Sequence, residues 1–312
     1  MPKLNVQQNN QNVIQAFRNA LAIGNLKGII ASDGNHNFST AGSNRNLLDN
    51  PWWGSGEVVN QRSVTAKPSS NGAYCIDRWT WNSGTDANNM SLGANGITFT
   101  RSASSIWFAQ KMANPSALVG KTITGSVMLS DGTIKSGSVV YASVGSTPTL
   151  YEDSAVQIYI SRVGAFSLTI KTTQTIRAVK LELGSVSTLA NDVPPDYYDE
   201  LGHCKWYFER IKALSGNYAP MGFGYAASAT TATIFVPMHA KRGSGYTVST
   251  SGSFRLVNGQ TTYSVTAISK YSSVPNNWLI LTVTSSGMTA GQPLEFGARG
   301  DSAAYIDVNN DL

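Results

Sequence analysis

Acidic residues are the first candidates for chemistry, because hydrolysis of a glycosidic bond needs two carboxyl groups that flank the scissile bond. Glu152 and Asp153 follow Tyr151 in a turn-like segment. Four more acids share one polar connector: Asp192, Asp196, Asp199 and Glu200. Acids in a connector that also contains the Pro194-Pro195 pair are typical of a solvated linker. We therefore expect these four side chains to be exposed, and we assign no catalytic residue.

Motifs for nucleophilic or metal-dependent catalysis are absent. The sequence has no G-x-S-x-G, H-E-x-x-H or C-x-x-C pattern, and its three histidines are isolated: His36, His203 and His239. Cys75 and Cys204 lie in apolar, aromatic surroundings, which favours two buried reduced thiols over a disulfide between the two halves. Asp307, Asn309 and Asp311 have the residue types of a calcium site, but we interpret this tail as exposed polar chain. No metal and no cofactor is predicted.

Aromatic residues with polar neighbours point to glycan binding instead. Sugar rings stack their C–H faces on exposed aromatic rings, while polar side chains bond their hydroxyls. Trp52 and Trp53 are adjacent in a turn-like segment, and adjacent residues of an extended chain point in opposite directions, so we expect one of them to be exposed. A second predicted surface lies near the C-terminus, with Trp278 and Asn276 beside its main members: Tyr246, Tyr263, Tyr271 and Arg255.

The composition restricts the class of partner. Only 13% of the 312 residues are charged, and the net charge of +5 is spread along the chain without a cluster of Lys or Arg. Binding to nucleic acid would need clustered cations, so no nucleic-acid partner is expected. No apolar run has the length of a membrane span or a signal peptide. We therefore expect synthesis in the cytoplasm and no insertion into a membrane.

The periodicity predicts a mainly β protein, with two antiparallel β-sandwich (jelly-roll-like) domains preceded by a short N-terminal helix. Apolar residues recur at helical spacing from Val13 to Leu21, and this helix could pack on its own body, on copies of itself or on a larger assembly. The predicted divisions are a helix and linker, a first sandwich, a connector with a short helix, and a second sandwich: residues 1–45, 46–184, 185–215 and 216–312.

Local patterns predict individual elements. Residues 74–79 alternate as a strand does, and so do residues 176–183, in which Lys180 and Glu182 would lie on the polar face. Residues 200–211 are compatible with a helix, and Ala113–Leu118 with a single helical turn. Asn258-Gly259 between two apolar runs predicts a hairpin.

Seven motifs together resemble a known group of proteins. KLELGSVST and CKWYFERI flank the connector, at residues 180–188 and 204–211. The other five are NLLDN at 46–50, NQR at 60–62, YCIDRW at 74–79, YAPMGFGYA at 218–226 and AYIDVNNDL at 304–312. As a set they resemble tail-fibre and other receptor-binding proteins of tailed bacteriophages and prophages. In that group a carbohydrate-binding-module-like β-sandwich ends on such a strand, and a Cys-x-x-Tyr-Phe-type segment leads into a distal domain.

The resemblance covers roughly Asn46 to Leu312, and it implies a function. It implies a structural component of a virion that adheres to host-surface glycans without catalysis. It also implies a homotrimer that contacts other virion proteins through the N-terminal segment. The alternatives are a glycan depolymerase, a head fibre or decoration protein, and a bacterial carbohydrate-binding adhesin.

Overall fold

The fold is known from a computed structural model that describes residues 30–32, 38–40, 44–84, 87–213, 219–243, 245–271 and 277–311. These residues fold mainly into antiparallel β-strands with one short α-helix, as the periodicity predicts. The predicted N-terminal helix lies outside the described residues. The predicted linker after it contains an antiparallel pair, β1 (Ile30–Ser32) and β2 (Phe38–Thr40).

Ten strands between residues 80 and 183 form two five-stranded sheets. In chain order they are β3 (Thr80–Ser83), β4 (Asn89–Gly93), β5 (Gly96–Thr100), β6 (Ile106–Lys111), β7 (Thr122–Leu129), β8 (Ile134–Val140), β9 (Thr149–Glu152), β10 (Val156–Ile160), β11 (Ala165–Ile170) and β12 (Gln174–Leu183). The first sheet has the spatial order β3-β6-β11-β10-β9, and the second has the order β4-β5-β12-β7-β8. The predicted helical turn is a 3-10 turn at Pro115–Leu118.

The inward residues of both sheets share one aromatic-rich core. At its centre the indole of Trp79 stacks on Phe108 with the ring centroids 5.2 Å apart, and Trp53 meets Trp79 edge-on at 5.0 Å. Edge-to-face and offset arrangements are the favoured geometries of aromatic pairs. This core fixes the two sheets on each other.

The predicted strand at residues 74–79 is wrong. These residues form turns, with one isolated β-bridge between Tyr74 and Thr80. Arg78 has a left-handed backbone with φ +73°. The reason is Asn50, whose carbonyl accepts the indole N–H groups of both Trp53 (2.9 Å) and Trp79 (3.0 Å). The side-chain amide of Asn50 also donates to the carbonyl of Asp77 at 2.9 Å. The segment therefore bends around one buried asparagine.

Lys180 and Glu182 are buried, contrary to the prediction that they lie on a solvated face of β12. The chain after β12 folds back over them. There the ammonium of Lys180 contacts a carboxylate oxygen of Asp192 at 2.7 Å and the hydroxyl of Thr188 at 2.8 Å. A buried charge needs such partners, because leaving it unpaired in the interior is costly.

The connector is only partly helical. After a 3-10 turn at Leu189–Asn191, helix α1 spans Tyr197–Lys205. Asp196 caps it, because its side chain accepts hydrogen bonds from the amides of Tyr198 and Asp199. The predicted helical character of residues 206–211 is wrong, since β13 (Phe208–Lys212) is a strand of the C-terminal part. Of the helices in the described residues, none has the length and apolar character needed to cross a membrane.

Nine further strands follow in the part of the C-terminal half that the structure describes. They are β14 (Pro220–Ala226), β15 (Thr231–Val236), β16 (Thr247–Ser251), β17 (Phe254–Asn258), β18 (Thr261–Ser264), β19 (Ala267–Lys270), β20 (Leu279–Thr284), β21 (Pro293–Ala298) and β22 (Tyr305–Asn309). Strands β13, β22 and β16 form one sheet, and the other seven have the order β18-β17-β21-β14-β15-β20-β19. The predicted Asn258-Gly259 hairpin joins β17 to β18.

The two edge strands of the seven-stranded sheet, β18 and β19, are consecutive in the chain and are joined by Val265 and Thr266 alone. Ser264 and Ala267 are three Cα–Cα steps apart, so the adjoining ends of the two edge strands lie within about 11 Å of each other. The sheet is therefore strongly curved. The buried residues of this sheet and of the three-stranded sheet form a second core.

Candidate functional site

The outer face of the first sheet carries a groove, and the strand register shows which side chains reach it. Thr80 pairs with Ala109, Ala109 with Ser167, and Ser167 with Tyr159, so these four form one row across β3, β6, β11 and β10. Directly paired residues of antiparallel strands point to the same face. Because Phe108 and Leu168 point into the core, this row points outward.

Small side chains form the floor of the groove, and aromatic rings stand at its sides. Ala109, Ala165 and Ser167 occupy its middle, and partly buried Trp107 and Tyr159 lie on either side of them. The cavity has a volume of about 540 Å³. This volume is within the range of about 300–1,000 Å³ that is typical of small-molecule sites. A groove of this size can accommodate a small-molecule ligand.

Polar groups line the ends of the groove. The exposed side chains of Asn82 and Lys111 are among the lining residues, and so are the hydroxyl groups of Ser161 and Tyr159. Amides, hydroxyls and ammonium groups are suitable partners for sugar hydroxyls. The lining residues of this groove include no carboxylate among those that the structure describes.

Neither Trp52 nor Trp53 is exposed, contrary to the expectation that one of them is. Trp53 is fully buried and Trp52 is 5% exposed, so the expectation that one indole reaches solvent is wrong. They do point in opposite directions, as adjacent residues should. Trp53 points into the main core. Trp52 packs in a small separate cluster with Ala178 of β12 and Leu189 of the connector. Both faces of this segment are covered.

The predicted C-terminal surface is not assembled either. Tyr246 is 2% exposed, and its hydroxyl donates to the carbonyl of Trp278 at 2.8 Å. Tyr263 pairs with Leu256 and packs against the second core, so the neighbouring Arg255 lies on the opposite face of β17. Arg255 instead contacts Glu295 at 3.2 Å. Tyr271 is exposed, but it shares no described pocket with the other three.

The predicted exposed acids are mostly held by partners. Glu200 is 6% exposed, and its carboxylate accepts a hydrogen bond from the amide of Asn50. Burial raises the pKa of Glu200, and the nearby carboxylate of Asp49 raises it further. Asp196 is the helix cap described above. The prediction of four solvated linker acids is therefore wrong for Asp192 and Glu200.

The C-terminal tail is also not free polar chain. Both oxygens of Asp307 accept hydrogen bonds from Arg210 at 2.7 Å, and Asp311 is buried against Arg62. Burial raises the pKa of Asp311 above its ordinary value. These two acids serve a structural junction between the N-terminal and C-terminal sheets.

Cys75 and Cys204 are free and buried, as predicted. Burial raises the pKa of Cys75 to about 12. The thiolate is the reactive form of cysteine, so neither residue is placed for nucleophilic chemistry.

No protein-family model, curated protein or solved structure matches this chain.

The sequence reasoning missed Trp107, although a local signal was present. In the run IWFAQK the apolar residues Ile106 and Phe108 alternate with Trp107 and Ala109. Successive residues of a strand point to opposite faces, so if Ile106 and Phe108 point inward, Trp107 must point outward. Tyr159 lies between Ile158 and Ile160 in the same way. No local signal shows that β6, which carries Trp107, and β10, which carries Tyr159, both lie next to β11.

A group of possible metal ligands lies elsewhere, beside α1. Asp49, Glu200 and His203 place one ligand atom each within 4.8 Å of one another.

Proposed function

We propose that this protein is a non-enzymatic glycan-binding component of a bacteriophage virion, of the tail-fibre or receptor-binding type, and that the groove between Trp107 and Tyr159 is its glycan site. The single observation that carries glycan binding is this groove, with aromatic sides, a floor of small residues and polar ends. The seven-motif resemblance and the weakly charged, polar composition support assignment to a virion.

The proposal includes an architecture. The two five-stranded sheets form a jelly-roll-like sandwich that binds the glycan, and the C-terminal sheets form a second domain toward the tip. The N-terminal segment attaches the protein to other virion proteins and holds three copies together. Single sites of this shallow kind bind weakly, and linked copies bind the same surface far more tightly.

Two substitutions test the groove. Trp107→Ala and Tyr159→Ala each remove one aromatic side, so each should weaken glycan binding by about tenfold, or about 1.4 kcal/mol. A glycan array probed with the full chain identifies a ligand, and calorimetric titration of that glycan measures the affinity. Trp278→Ala is the matched control, because this indole is 47% exposed and lies outside the groove. Binding that survives both groove substitutions, or that Trp278→Ala abolishes, contradicts the assignment.

The absence of catalysis is tested separately. Purified chain incubated with host-cell polysaccharide should release no oligosaccharide, because no pair of carboxyl groups lines the described part of the groove. Release of oligosaccharide by the intact protein would favour a glycan depolymerase instead.

A further inference from the structure

We propose that Asp49, Glu200 and His203 bind one divalent transition-metal ion of the Zn²⁺ type. The proposal is independent of glycan binding. Glu200 and His203 are three residues apart on α1, so their side chains lie on one face of the helix. Asp49 comes from the segment before Trp52, about 150 residues earlier in the chain. The ligand atoms of the three residues all lie within 4.8 Å of one another.

The carboxylate of Glu200 supplies an independent observation. It is nine-tenths buried, and its hydrogen-bond partner among the described residues is the backbone amide of Asn50. None of the ion pairs of the described residues includes Glu200. A buried carboxylate without a cation is costly, and a second carboxylate, that of Asp49, lies beside it. A bound cation would offset both costs.

The residues around the site hold the ligands in place. Gln110 clamps the backbone of Asp49, because its side-chain amide donates to the carbonyl of Asp49 at 2.6 Å and accepts from its N–H at 2.8 Å. The Oδ2 atom of Asp49 accepts a hydrogen bond from Arg78 at 3.0 Å. The backbone amide of Asn50 donates a hydrogen bond to Glu200, so neighbouring groups orient both carboxylates. Such outer contacts are typical of metal sites, where they fix the ligands and tune their basicity.

The donor set indicates the class of ion. One imidazole with two carboxylates suits first-row transition ions, whereas Mg²⁺ and Ca²⁺ prefer oxygen ligands throughout. Zinc binds nitrogen and oxygen ligands at about 2.0–2.2 Å, so ligands on one ion lie at most about 4 Å apart. The exposed imidazole of His203 can close the remaining gap by a small rotation of its side chain.

The site is open to solvent. Asp49 and His203 line two clefts, of about 420 Å³ and about 300 Å³. Three protein ligands with open positions leave room for water or a small anionic ligand on the ion. The bound ion would also tie α1 to the segment that carries Asp49.

Titration of the full chain with ZnCl₂ tests the proposal. The protein is prepared without a histidine tag and treated with a chelator, and binding is followed by calorimetry and by thermal unfolding. We expect one Zn²⁺ per chain and an increase in Tm of several degrees at saturation. His203→Ala should weaken binding at least tenfold, and because this side chain is exposed the variant should fold.

Two further variants make the result decisive. Glu200→Gln keeps the shape of the side chain but removes its charge, and it should also weaken Zn²⁺ binding. His239→Ala is the matched control, since this histidine is half-exposed and contacts the carboxylate of Glu209 at 2.8 Å. The affinity of the His239→Ala variant for Zn²⁺ should equal that of the unmodified chain. The proposal is overturned if Zn²⁺ does not bind below 1 mM, if His203→Ala binds normally, or if His239→Ala abolishes binding.

Discussion

Individual charged residues in this protein are stabilised by partners that the sequence does not reveal. Glu209 is an example: its carboxylate accepts hydrogen bonds from Lys241 at 2.7 Å and from the amide of His239 at 2.9 Å. Lys205 lies 3.8 Å away. Although burial opposes ionisation, Lys241 and these hydrogen bonds outweigh it and lower the pKa of Glu209 below its ordinary value. Lys241 is itself fully buried, so the carboxylate is its necessary partner.

Replacement of Glu209 should be costly and dependent on pH. Glu209→Gln removes the carboxylate that contacts the buried ammonium of Lys241, which should reduce the free energy of unfolding by about 3–5 kcal/mol at pH 7. The pKa of Glu209 is lowered on folding, so its contribution is complete above the unfolded pKa of about 4.5 and is lost as the pH falls below that value. Urea unfolding should therefore show a larger difference in the free energy of unfolding between the unmodified chain and Glu209→Gln at pH 7 than at pH 3.

The exposed pair of Glu152 and Lys171 provides the control for that measurement. Glu152→Gln should change stability by less than about 1 kcal/mol, because surface ion pairs contribute little. Equal costs for the two substitutions, or a Glu209→Gln cost that does not change with pH, would contradict the role given to Glu209.

Among the elements, the hairpin of β4 and β5 depends on a single glycine. Gly96 has φ +126°, and a Cβ atom there would lie 2.2 Å from the carbonyl oxygen of Ile176 on β12. The close approach lets β5 pair with β12 at residues 174–176. Gly132, in the turn between β7 and β8, has φ +84° but open space around it.

These two glycines should therefore respond differently to alanine. Gly132→Ala should cost about 1 kcal/mol, the ordinary penalty for a left-handed alanine. Gly96→Ala adds a clash with the backbone and should cost about 3 kcal/mol or more. Denaturant unfolding of both variants measures the difference. If the two losses in the free energy of unfolding are equal, the close contact with Ile176 is unimportant.

Four of the seven motifs that carry the resemblance contribute residues to one junction between the two cores. Arg62 contacts Asp77 at 2.8 Å, forms an ion pair with Asp311, and lies over the ring of Phe208 at 3.6 Å. Arg78 lies over the ring of Tyr207 at 3.5 Å. Residues of NQR, YCIDRW, CKWYFERI and AYIDVNNDL thus hold the first pair of sheets to the C-terminal sheets.

The junction should couple the unfolding of the two parts. We expect the intact chain to unfold in one calorimetric transition. Arg62→Ala leaves the buried carboxylates of Asp77 and Asp311 without this partner, which should cost about 3–5 kcal/mol and separate the transition into two. Arg177→Ala, which breaks the more exposed pair with Glu57, should cost less than about 1 kcal/mol and leave one transition. A single, unshifted transition in Arg62→Ala would show that the junction does not couple the two parts.

Local sequence patterns predicted the mainly β class, the strand at residues 176–183 and the Asn258-Gly259 hairpin. Alternation and turn chemistry act over a few residues, so they can be recognised without the fold. Local pattern also predicted the two buried thiols.

Which side chains are buried, and which lie together in one site, depends on contacts between segments that are distant in the sequence. The connector covers Trp52, and Asn50 bends residues 74–79 away from the strand that alternation predicts. The groove brings Trp107 and Tyr159 together across β11, which lies between their strands. The cluster of possible metal ligands places Asp49 beside a helix about 150 residues later in the chain. The physical reason is range: alternation specifies which side of a strand a residue faces, whereas burial and site formation depend on distant segments that fold against that side.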